Sequence, residues 1–156
     1  MHSSKAAFSL ATLILLSCSP RVTEPCQVLT KAEIASLTGQ TLSGEGSRQV
    51  MPPIETTEVV NCEWNEATEY FSLTLFLGSE AKFEGQRACN GPTHVYNRGL
   101  SLGGSGCGFR QTSGETYSGA HVTNGAGTVG FLVSTSRSLT AKQVELLSQS
   151  VASRVF

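Results

Sequence analysis

Five cysteines, Cys18, Cys26, Cys62, Cys89 and Cys107, constrain this chain more than any other feature. Residues 1–17 read as a secretory signal: Lys5 supplies the positive n-region and residues 6–16 are apolar. At about 1.5 Å per residue that run is too short to cross a hydrocarbon core of about 30 Å. Export brings the chain into an oxidising compartment, where an even set of cysteines pairs. Cys18 abuts the leader; the four others remain. They allow three pairings. Sequential pairing, Cys26–Cys62 and Cys89–Cys107, closes two moderate loops and is the expected one. Each closure contributes about 3–4 kcal/mol by loop entropy. The competing use, a metal or redox site, finds no C-x-x-C spacing and only His94 near Cys89. No metal and no cofactor are expected.

Cys18 has its own reading. Leu15-Leu16-Ser17-Cys18 resembles a bacterial lipobox, with Leu at −3, a small residue at −1 and Cys at +1. A small residue before the cut suits the peptidase, and only a thiol carries the diacylglyceryl thioether. Leu16 at −2 is larger than is usual. The expectation is an acylated (palmitate-bearing) Cys18 and a membrane-anchored lipoprotein of the cell envelope, facing the periplasm or the exterior. Two or more acyl chains make such anchoring stable. The chain then divides into a signal (1–17), a lipidated cysteine with a polar tether (18–25), and one disulfide-stapled domain (26–156).

Composition narrows the function classes. The 156 residues carry a formal net charge of −1, so there is no basic excess to neutralise phosphates, and nucleic acid is not an expected partner. With 39% hydrophobic and 15% charged residues, the chain is not of the disordered kind. All twelve acidic residues are Glu, which removes EF-hand loops and aspartate-dependent mechanisms.

The chain's periodicities predict an α+β fold. Thr30 and Glu33 form a capping box, Leu29 and Ile34 a hydrophobic staple, and Gly39 stops the first helix. Thr140 and Gln143 repeat this grammar ahead of Val144, Leu147, Val151 and Val155, an apolar stripe at helical spacing. Between the helices, Gly44, Gly46 and Met51-Pro52-Pro53 read as a loose connection. Val60, Cys62 and Trp64 share one strand face; Phe71, Leu73, Leu75 and Leu77 share the next. Residues 79–88 read as a short helix weakened by Gly85. Strands are expected near 93–97, 107–112, 117–124 and 127–134, the last two joined by Asn124-Gly125-Ala126-Gly127. The expected architecture is an antiparallel sheet with an N-terminal and a C-terminal helix packed on it.

Cys26-x-x-Leu29-Thr30-x-x-Glu33-Ile34, followed by Cys62-Glu63-Trp64, resembles the domain of unknown function shared by small actinobacterial-type secreted lipoproteins. In that family the two motif cysteines pair, which favours Cys26–Cys62 here. Similarity to neighbouring lipoprotein families implies a PsbP-like sandwich. The resemblance implies no activity.

Candidate chemistry is thin. Residues 103–108 (Gly-Gly-Ser-Gly-Cys-Gly) lack the following helix and Lys of a phosphate loop. Gly103-x-Ser105 begins like a nucleophile elbow, but Cys107 replaces the second Gly. His94 and His121 stand singly beside apolar neighbours, and Glu63, Glu66 and Glu69 crowd one hairpin. Ser113-Gly114-Glu115-Thr116-Tyr117 with Thr123-Asn124-Gly125 is similar to the loops by which lysozyme-inhibitor lipoproteins plug their target, with Asn124 where a Lys is wanted.

The functional expectation is therefore a lipid-anchored, non-enzymatic binding module. Its partner would be a protein or a small apolar ligand. The alternatives are an inhibitor of a cell-wall-lytic enzyme and an envelope hydrolase using Glu and His. The partner surface is placed on a projecting segment, 113–125, above the glycine-rich 103–108 turn, with Ser113, Glu115 and Tyr117 as contact residues.

Overall fold

In the computed structural model, residues 21–91, 94–110 and 114–156 are described. They form one seven-stranded, wholly antiparallel sheet with helices on both faces. The elements run α1 (Pro25–Val28), α2 (Lys31–Thr38), β1 (Ser47–Ile54), β2 (Thr57–Asn65), β3 (Tyr70–Leu77), α3 (Ala81–Ala88), β4 (Val95–Asn97), β5 (Ser105–Arg110), β6 (Tyr117–Thr123), β7 (Val129–Leu139) and α4 (Ala141–Val155). The strand order is β1-β2-β3-β7-β6-β5-β4. The class is α+β.

Both local start signals operate. The Thr30 hydroxyl accepts from the Glu33 N–H at 3.2 Å, while the Glu33 carboxylate accepts from the Thr30 N–H at 2.8 Å. Gly39 ends α2 at φ 76°, a left-handed conformation that costs glycine little. Thr140 and Gln143 make the same reciprocal pair at α4. Glu33 does double duty: its carboxylate also holds Arg154 in the last turn of α4, tying the two helices together.

One face of the sheet carries the main core. Leu29, Ile34, Cys62, Trp64, Phe71, Leu73, Leu75, Phe131 and Val133 pack there with Val144, Leu147, Val151 and Val155 of α4. The alternation expected for β2 and β3, and the stripe expected for α4, end in this core. Cys26 bridges Cys62 and Cys89 bridges Cys107. The first bridge fastens α1 to β2 beneath Trp64; the second fastens the end of α3 to β5. The fold's contacts begin ahead of Cys26, because the Val22 N–H donates to the Arg154 carbonyl at 3.0 Å.

Two segments depart from the sequence expectation. The stretch read as a loose connection contains β1, an exposed edge strand paired only with β2. Pro52 and Pro53 lie where its register shifts between Met51 and Ile54. An edge strand tolerates prolines because the missing N–H faces no partner, and they protect that edge from pairing with other chains. The second departure is the glycine-dense turn. From Ser105 onward it is strand β5. A Cβ on Gly106 would lie 1.9 Å from the His121 carbonyl oxygen, so the glycine permits the close approach of β6.

Candidate functional site

The second face is only partly covered. Helix α3 lies across β6 and β7 with Ala81 and Gly85 buried against them. Beyond its C-terminal end, at Ala88, the sheet is open and forms a groove of about 760 Å³.

The groove exists because β7 leaves β6. Gly119 is paired with Ser134 and Tyr117 with Leu139, so two steps along β6 match five along β7. The surplus residues of β7 arch outward as a wide bulge and open a trough beside Ser118. Bulges of this kind re-aim side chains and recur beside functional sites. The arch is held from the opposite face. Gln40, 0% exposed, donates to the Tyr70 carbonyl at 2.9 Å and accepts from the Thr135 hydroxyl at 2.6 Å. Its amide also reaches the Ser136 hydroxyl at 3.4 Å, and the Tyr70 N–H donates to that same oxygen at 3.0 Å. Replacing Gln40 would remove the acceptor of the buried Thr135 hydroxyl and the amide donor to the Tyr70 carbonyl. At the crest, the Arg137 guanidinium pairs with Glu69 of the β2–β3 turn.

Aromatic rings make the other wall. His94 stands 6.2 Å from Tyr96 and 5.5 Å, edge-on, from Phe109, measured between ring centroids. Tyr96 and Phe109 are register partners on β4 and β5. Phe109 lies over Gly119, where a Cβ would come within 2.7 Å of the ring. The floor and far wall carry the hydroxyls of Thr116, Ser118, Ser134 and Ser138, with the apolar Leu132 of β7 among them. Tyr70, 42% exposed, stands at the mouth.

The residues proposed from the sequence fall unevenly around this trough. Ser113 lies outside the described residues, as does Cys18. Glu115 is exposed next to the groove-lining residues Gly114 and Thr116. Tyr117 does not project: it is 6% exposed and belongs to the main core, while also bordering the groove. Its hydroxyl accepts from the Asn97 side-chain amide at 2.7 Å. Simple alternation would put Tyr117 on the same face as His121, but the bulge reverses its side and carries it into the core. The segment 113–125 is therefore no single projection. Strand β6 runs through it, and Tyr117 and the Asn124 turn stand at the strand's two ends. At the Asn124 turn, the side-chain oxygen accepts from the N–H groups of Thr128 and Val129, as turn chemistry requires.

The residues considered for hydrolysis are distributed elsewhere. Glu66 accepts from the Ser43 hydroxyl and from the backbone N–H groups of Gly44 and Ser43, which hold its carboxyl below the usual range. Glu63 is occupied by the side-chain amides of Gln49, Asn61 and Asn65. Ser105 is in register with Thr123. His121 is buried beneath α3, with its ring 5.5 Å from Phe76, and neither ring nitrogen has a hydrogen-bond partner among the described residues. Burial alone pushes its pKa down to about 4. Among the described residues, no three His, Cys or Glu side chains are grouped as metal ligands, and no helix is long and apolar enough to cross a membrane.

No protein-family model, curated protein or solved structure matches the chain. The resemblance to secreted lipoproteins rests on its two short motifs, and the groove stands on its own geometry.

Proposed function

We propose that the chain is a lipid-anchored cell-envelope protein whose α+β domain is a non-enzymatic binding module, with its ligand seated in the groove beside the β7 bulge. The observation that carries this reading is the bulge itself. A buried amide, two hydroxyls and a backbone carbonyl are committed to holding three surplus residues of β7 away from β6. That arrangement maintains an open, pre-formed trough, which lowers the ordering cost of binding.

The anchor fits this placement. From Cys18 to Val22 the chain can extend at most about 14 Å. Val22 is bonded to Arg154 at the C-terminal end of α4, whereas Ser138 of the groove stands just ahead of the helix's N-cap, Thr140. Helix α4, 15 residues long, separates the two by about 22 Å. A lipid on Cys18 would hold the tether end at the membrane and leave the groove facing away from it. Kinship with the PsbP-like sandwich is part of the proposal, supported by the antiparallel sheet with α4 packed along it.

Two measurements test the reading. Labelled palmitate should enter the wild-type chain and not Cys18→Ala; equal labelling of both would refute the anchor. The protein isolated from the envelope, analysed by native mass spectrometry and by pull-down, should carry a ligand or partner that Tyr96→Ala loses. Retention by Tyr96→Ala, with loss on changing the exposed face of α4 at Leu146, would place the site elsewhere.

A further inference from the structure

We infer that the groove takes an uncharged saccharide, an inference that rests on the groove being the binding site. A sugar ring is amphipathic in a particular way: its faces present C–H groups and its perimeter presents hydroxyls. A site for it needs aromatic faces and hydrogen-bonding groups within one trough, and the groove has both.

Tyr96, Phe109 and His94 form a continuous aromatic wall on β4 and β5. Across from it, the hydroxyls of Thr116, Ser134 and Ser138 have no hydrogen-bond partner among the described residues, whereas those of Thr135 and Ser136 are committed to the bulge. Hydroxyls that can both donate and accept suit a perimeter of the same chemistry. Phe109 and Gly119 show how the wall is placed. The absence of a side chain at Gly119 lets the end of the Phe109 ring approach β6 and brings the aromatic surface to the floor.

Charge separates this ligand from others. Arg137 is the lining residue with a permanent charge, and Glu69 neutralises it across the rim. Among the described lining residues a phosphorylated or carboxylated ligand would meet no unpaired cation, and the Glu115 carboxylate, exposed beside Gly114 and Thr116, disfavours an anion further. An acyl chain calls for an enclosed apolar cavity, whereas this trough, as the described residues form it, is open along one side and carries hydroxyls beside Leu132 and Phe109 in its lining. At about 760 Å³ it has room for several sugar rings rather than one.

The test uses the protein purified from the envelope in mild detergent with both disulfides intact. Chitotriose, cellotriose and maltotriose serve as neutral probes and trigalacturonate as the charged one, all titrated calorimetrically. At least one neutral trisaccharide should bind, and trigalacturonate at least tenfold more weakly. Tyr96→Ala should weaken the neutral probe at least tenfold. Ser134→Ala, a smaller change that leaves the fold undisturbed, should weaken it severalfold. Phe83→Ala on the exposed side of α3 should leave it unchanged. Preference for trigalacturonate would overturn the inference, as would equal binding by wild type and both groove variants. If no trisaccharide binds while the wild type retains an envelope partner that Tyr96→Ala loses, the saccharide is refuted and the binding module stands. If neither is seen, both fall.

Discussion

Mild acidification should destabilise the protein through His121. The side chain is 1% exposed and sits between Phe76 and α3; a Cβ on Gly85 would come within 2.6 Å of its ring. Neither ring nitrogen is hydrogen-bonded among the described residues. The ionisable groups of α3 do not reach it: Lys82 packs on Gly127, and Glu84 pairs with Arg87 at 3.7 Å. Burial therefore holds the imidazole neutral and lowers its pKa from 6.5 to about 4. Between those values the unfolded chain binds the proton and the folded one does not, so stability rises with pH across that window. The contribution is complete above about 6.5 and is lost as pH falls through about 4. The gap corresponds to about 3 kcal/mol. His121→Leu, similar in volume, removes both the titration and two unsatisfied buried nitrogens. It should leave stability near neutrality within about 1 kcal/mol of wild type, or raise it. Urea unfolding followed by Trp64 fluorescence at intervals from about pH 7.5 to 3.5 measures the slope. Wild type should lose stability steeply between about pH 6.5 and 4, and His121→Leu should be nearly flat there. Equal slopes in the two proteins would refute the assignment.

Three further outcomes are expected. Glu33, whose pKa is lowered to about 2 chiefly by the hydrogen bond from Arg154 and then by the Thr30 N–H, contributes stability present above about 4.5 and lost as pH falls through about 2. Because its side chain is 37% exposed, solvent screening reduces the effect, and Glu33→Gln should cost about 1 kcal/mol by urea unfolding at neutral pH. Gln40→Leu should cost about 1–3 kcal/mol by removing the acceptor of the buried Thr135 hydroxyl and the amide donor to the Tyr70 carbonyl, and amide exchange should accelerate at residues 135–138 well before global unfolding. Gly106→Ala, with its Cβ driven against the His121 carbonyl, should lower the unfolding free energy by at least about 2 kcal/mol in calorimetry, whereas Gly125→Ala, which meets nothing within 4 Å, should not.

What the sequence determined by itself is what depends on near neighbours. The capping boxes at Thr30 and Thr140, the stop at Gly39 and the Asn124 turn are formed by residues within a few positions of one another, so their chemistry is visible in the string. The alternation of β2 and β3 and the stripe of α4 are equally legible, because each records the face turned to the main core, although α3 also buries Val59 and Phe76 on the other side. Compact loop closure likewise pointed to Cys26–Cys62 and Cys89–Cys107, the pairs that form.

The groove belongs to the tertiary structure. Its bulge depends on Gln40, which is 95 residues from Thr135 and 30 from Tyr70. No local pattern encodes that meeting. The same register slip turns Tyr117 from a surface candidate into a core residue. Strand β1 escaped notice because its two prolines are tolerable only at a sheet edge, and which strand is an edge is decided by the whole sheet. His121 looks like any lone histidine in a strand until α3 closes over it. In each case the deciding contact joins residues far apart in sequence, and the free energy that selects it comes from desolvation, which exists only once the layers have packed.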